Sequence, residues 1–144
     1  MLRDMVAAHD FAPNEQLNVI THSRGGEVAL DASLGIQHPI DNLITLAPTD
    51  WSQSYNLANI LNWENISAAQ DWVVSAASSE GDDPKHYPHA NNLILNAPNY
   101  GHIAAHSAIW QNDSLRNQWW GFWQQHAACH EWFDDKTNTV HGCI

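Results

Sequence analysis

Apolar residues fall in two rhythms along this chain. Leu17-Asn18-Val19-Ile20-Thr21 and Asn42-Leu43-Ile44-Thr45-Leu46-Ala47 are short, β-branched-rich runs of the kind that form buried strands. Trp63-Glu64-Asn65-Ile66-Ser67-Ala68 is a weaker third strand, and Asn91-Asn92-Leu93-Ile94-Leu95-Asn96 a fourth. Between them the period lengthens. Arg24 to Leu34 places Val28, Ala29, Ala32 and Leu34 at helical spacing and stops at Gly35. Residues 2–9 form a short helix ended by Pro13, residues 53–62 a further helix, and residues 103–127 one helix or two. Strands alternating with helices predict an α/β fold, a mostly parallel sheet flanked by helices. The stretch 75–90, rich in Ser, Gly, Asp, Pro and His, interrupts the alternation as a long loop. Residues 1–144 are expected to form one domain, with a core over about 15–127 and a polar tail over 128–144.

Composition narrows the partners. The formal net charge is −11, which argues against nucleic acid or an anionic membrane surface, since both reward basic patches. Ten His temper that argument, because their charge changes between about pH 5 and 8. No apolar run reaches the ~18 residues of a membrane span. The start, Met1-Leu2-Arg3-Asp4-Met5, lacks an apolar signal core, so the cytoplasm is the default expectation. A disulfide between Cys129 and Cys143 would instead favour secretion; two free thiols are the equal alternative. His126-x-x-Cys129-His130 offers too few ligands at tight spacing for zinc, and no metal is expected.

The densest chemical signal is Val19-Ile20-Thr21-His22-Ser23-Arg24-Gly25-Gly26-Glu27, a strand, a sharp turn and a helix with Ser23 at the apex. Such a turn strains the backbone, needs small neighbours two residues to either side (Thr21, Gly25), and aims a helix N-terminus and the Arg24 N–H at the serine. The motif resembles the nucleophile elbow of the α/β-hydrolase family, G-x-S-x-G, commonly G-H-S-x-G-G, with Thr21 replacing the first glycine. In that family the triad runs in the chain order Ser, acid, His. Asp71-Trp72-Val73-Val74 follows the third strand and resembles the family's acid turn. Gly101-His102 follows the fourth and resembles its base turn, 31 residues beyond Asp71. The resemblance therefore implies Ser23 as nucleophile, Asp71 as orienting acid and His102 as base, with the Arg24 N–H at the oxyanion and no cofactor; His22, next to the nucleophile, either lines the substrate pocket or packs beneath the turn. Glu80, Asp82 and Asp83 are the competing acids if Val73 to Ala77 is read as the strand. His106, one helical turn past His102, reads as a helix-surface histidine or half of a metal pair, the former preferred.

The resemblance covers about residues 15–125 and only the second half of the family fold, from the elbow onward, a truncated three-layer sandwich. It implies a serine hydrolase acting on carboxylic esters, esterase- or lipase-like, on a small-molecule or lipid ester. The alternatives are a non-catalytic binding or assembly module and an acyltransferase on the same triad. The strand before Ser23 would lie at a sheet edge. An apolar edge needs cover, so either the chain is a fragment or a second copy covers that edge. Eight Trp, five of them from Trp110 to Trp132, pack against the sheet or form a lipid- or subunit-contacting surface.

Overall fold

A computed structural model describes residues 1–49, 55–76, 85–126, 132–134 and 139–141. Its elements in chain order are α1 (Leu2–Ala8), β1 (Asn18–His22), α2 (Gly25–Ser33), β2 (Ile40–Leu46), a one-turn 3-10 helix (Leu57–Asn59), β3 (Ile60–Ala68), α3 (Trp72–Ala76), β4 (Asn91–Leu95), α4 (Ala104–Gln111) and α5 (Asp113–His126). The first four strands form one all-parallel sheet in the order β1-β2-β3-β4. A separate antiparallel pair, β5 (Trp132–Asp134) and β6 (Thr139–His141), follows α5. The chain is of the α/β class.

The central strands explain why apolar runs rather than alternation mark this sheet. Every residue of β2 is buried, because helices cover both faces. On one face Ile44, Leu46, Ile66 and Ala68 pack against Ala105, Ala108 and Ile109 of α4 and Leu115 and Trp119 of α5. On the other, Leu43, Ile60 and Trp63 pack with Val6 of α1 and Ala29 and Leu30 of α2. Each fully buried Leu or Ile contributes about 1.5–3 kcal/mol relative to exposure.

Two rows of amide side chains cross the sheet. Asn42 donates to Asn18 (2.6 Å), Asn62 to Asn42 (3.1 Å) and Asn91 to Asn62 (3.5 Å). On the opposite face the Thr45 hydroxyl donates to Asn65 (3.0 Å) and Asn65 to Asn92 (2.9 Å). The two amides that are fully buried, Asn42 and Asn65, are tolerated because each finds partners on the neighbouring strands.

One expectation changes and one open choice is settled. The helix expected over 53–62 does not extend through 60–62; β3 begins at Ile60, which pairs with Ile40 and buries its side chain in the α1/α2 core. The gain from pairing along the whole of β2 outweighs a local helical period. Residues 53 and 54 lie outside the described residues. The helical region after residue 103 is two helices: Asn112 adopts extended backbone (φ −88°, ψ 123°), and its side chain accepts from the Leu115 N–H to cap α5. Trp119 is buried and donates its indole N–H to the Ile109 carbonyl (3.0 Å), while Trp120 lies exposed beside it. Cys129, Cys143 and the acids Glu80, Asp82 and Asp83 lie outside the described residues. Among the described residues, no helix is long and apolar enough to cross a membrane.

Candidate active site

All the groups of the site gather at the C-terminal ends of the parallel strands, where open α/β sheets place their ligands. β1 ends at His22 and the chain turns immediately into α2. Ser23 sits in this turn with φ 55°, a left-handed conformation that costs a residue with a Cβ about 1–2 kcal/mol. Its neighbours hold it there. The Ser23 N–H donates to the Leu46 carbonyl (2.9 Å), carrying the β1–β2 ladder one residue past the strand, and the Ser23 carbonyl accepts from Gly26 (3.0 Å).

The need for a small residue falls elsewhere than the motif suggests. A Cβ on Gly25 would meet Thr21 Cβ at 3.4 Å, an ordinary contact, so Thr21 is accommodated. A Cβ on Gly26 would approach Pro48 Cβ to 3.0 Å. The second glycine of the pair is therefore the one that lets α2 close against the end of β2.

Asp71 follows β3 and is fully buried. One of its oxygens, Oδ1, accepts from the Val74 N–H (3.2 Å), the N-cap bond that starts α3. The other, Oδ2, lies 2.8 Å from His106 Nδ1. His106 Nε2 in turn lies 2.9 Å from Ser23 Oγ. A carboxylate only accepts, so Nδ1 carries the ring hydrogen and Nε2 presents its lone pair to the Ser23 hydroxyl, which donates. Residues 23, 106 and 71 thus form a continuous Ser–His–Asp hydrogen-bonded relay.

The structure brings Ser23 and Asp71 together as the sequence led us to expect, but the imidazole between them is not His102. His102 is exposed; its Nδ1 meets the Gln70 carbonyl (3.1 Å) and its own carbonyl accepts from the Trp72 N–H (3.3 Å), so it ties two turns together. The physical reason lies in α4. That helix starts at Ala104, so residue 102 stays in the turn outside it, while His106, in its first turn, faces back over the sheet. The useful signal was the helix's buried stripe, Ala105, Ala108 and Ile109, which makes His106 a half-buried side chain at the core margin rather than a surface one. His22 Nε2 lies 2.9 Å from the His106 carbonyl, so the ring is engaged with α4 beside the candidate base. The Arg24 side chain is exposed and pairs with Glu27, and among the described residues the Arg24 N–H donates to no backbone carbonyl. Standing at the α2 N-terminus next to Ser23, that N–H is the donor available to a developing anion.

His86 and His89 are exposed, away from the relay. Among the described residues, no group of three or more His, Cys, Asp or Glu is arranged to hold a metal. Compared with protein-family profiles, curated proteins and solved structures, the chain matches none.

Proposed function

We propose that this protein is a serine hydrolase of carboxylic esters, built on the second half of an α/β-hydrolase-like three-layer fold. The observation that carries the proposal is the unbroken relay from Ser23 Oγ through the His106 ring to the buried Asp71 carboxylate, with the serine in a strained turn at a helix N-terminus. A serine hydroxyl alone is a weak nucleophile; a base within hydrogen-bond reach, itself oriented by an acid, is what activates it.

In the proposed cycle Ser23 Oγ attacks the ester carbonyl carbon while His106 Nε2 takes the hydroxyl proton. The carbonyl oxygen becomes an oxyanion that the Arg24 N–H stabilises. Collapse breaks the bond to the alcohol oxygen, which takes the proton from Nε2 and leaves, and the acyl group remains on Ser23. Water, deprotonated by the same nitrogen, then attacks the acyl-enzyme; collapse breaks the bond from the acyl carbon to Ser23 Oγ, which takes the proton back from Nε2 as the carboxylic acid leaves. Asp71 keeps Nδ1 protonated throughout and offsets the charge of the imidazolium.

An apolar acyl group suits the surroundings. Trp72, next to Asp71, is 62% exposed, and Ile103, one turn before His106, is 69% exposed. β1 pairs only with β2 among the described residues and leaves Ile20 46% exposed at the sheet edge. A second copy covering that edge is part of the proposal, and a well-behaved monomer in size-exclusion chromatography would remove it.

Treatment with a fluorophosphonate is the test. It should phosphonylate Ser23 in the wild type and leave Ser23→Ala unlabelled. A folded wild-type sample that neither takes the label nor turns over acyl esters would refute the hydrolase and favour a binding module.

A further inference from the structure

His22 lies in the elbow directly before the nucleophile, but its ring is not directed at the serine. Its Nε2 meets the backbone carbonyl of His106 at 2.9 Å, across 84 residues of chain. A carbonyl oxygen only accepts, so His22 Nε2 carries a hydrogen and donates it. The two imidazoles also touch, their centroids 4.9 Å apart and their planes inclined at 46°. His106 is therefore held at three points: Asp71 on Nδ1, Ser23 on Nε2 and His22 on its main chain.

Of the three, only the His22 contact fixes the backbone. The other two orient the ring about a Cα that α4 places. Among the described residues, α4 is tied to the elbow by this bond, and the elbow carries the serine in the next residue. We infer that His22 is a positioning residue: it sets the distance between Ser23 and the base by fastening the first turn of α4 to the end of β1. The role rests on the hydrolase reading above, and acts through His106 rather than on substrate.

Two variants separate the bond from the bulk of the ring. His22→Gln keeps a side-chain N–H at similar reach, and His22→Leu fills the space without a donor. The expected result is a 10- to 100-fold loss of kcat in His22→Leu with KM little changed. His22→Gln should recover most of that rate, and both variants should melt close to the wild type. Equal rates for His22→Leu and the wild type, or equal losses in the two variants, would overturn the role. Long-range proton–nitrogen NMR of the ring nitrogens gives a readout without turnover. His22 should be protonated at Nε2, and the His106 signals should broaden in His22→Leu and sharpen again in His22→Gln. If the wild type is inactive and unlabelled but these spectra behave so, the hydrolase reading fails while the tether stands. If the wild type is active and His106 is indifferent to His22, the tether fails alone.

Discussion

Replacing Asp71 by Asn tests the relay with the least damage to the fold. Asn is as good an N-cap as Asp, so α3 should start as before and the melting temperature should change little. The chemistry should not survive. The oxygen that accepts from the Val74 N–H must remain an oxygen. In the variant this puts the amide NH2 where Oδ2 now meets His106 Nδ1. Facing a donor, Nδ1 must give up its hydrogen, which moves to Nε2 and points at Ser23 Oγ. The base is then in the wrong tautomer. Flipping the amide restores the tautomer but sets two donors, the NH2 and the Val74 N–H, against each other in a fully buried site. Each orphaned donor costs about 1–3 kcal/mol, so the productive orientation is suppressed by roughly 30- to 10⁴-fold. Even when populated it lacks the negative charge that favours the imidazolium. The expected fall in kcat is on the order of 10⁴, or about 5 kcal/mol of barrier, in line with the same change in other serine triads. Initial rates on a chromogenic acyl ester, with circular dichroism melting as the fold control, measure it. An Asp71→Asn protein within tenfold of an active wild type would refute the argument from geometry to base activation.

Other outcomes follow from the same coordinates. His102→Ala, which removes an exposed contact to the Gln70 carbonyl, should leave kcat within about threefold, whereas His106→Ala should lose on the order of 10³-fold or more. Ser23→Gly should melt above Ser23→Ala by the equivalent of about 1 kcal/mol, because the positive φ suits glycine. Gly26→Ala should destabilise by about 1–3 kcal/mol through contact with Pro48, read as a lower midpoint in urea. Glu64, fully buried with one oxygen unpartnered, has its carboxyl pushed up by burial, against smaller opposing effects from Asn91, His126 and Asn62. The native state therefore holds this proton more tightly than the unfolded chain. Stability should fall as pH rises from the ordinary value of 4.5 through the raised one, and thermal melts of Glu64→Gln should lack that component of the slope.

The strands and their parallel pairing were legible because burial on two faces leaves nearly continuous apolar runs, as at Leu43 to Leu46. The place of Ser23 was legible because the elbow is a local motif, and that of Asp71 because the turn after β3 is short. The histidine that lies between them was not, and the reason is geometric. Between β4 and α4 the chain makes an irregular turn, and a motif of two adjacent residues says nothing about where the helix begins. His102 stays in that turn, before the helix begins at Ala104, and His106 falls in its first turn. The contact from His22 to a backbone carbonyl 84 residues away was equally out of reach, since a carbonyl has no sequence signature.

The asparagines that line up across the four strands bear on how Ser23 and Asp71 are kept level with each other. If β3 slid two residues along β2, every apolar side chain would still face its own layer of helices, and hydrophobic burial would scarcely object. The amide rows would object at once, because Asn62 would miss Asn42 and Asn65 would miss Thr45. Such a slip would move the end of β3, and Asp71 with it, by roughly 6–7 Å relative to Ser23, well beyond the span of one imidazole. Asn42 and Asn62, toward the far end of the sheet, thus help fix the alignment that the proposed proton transfer at the near end requires.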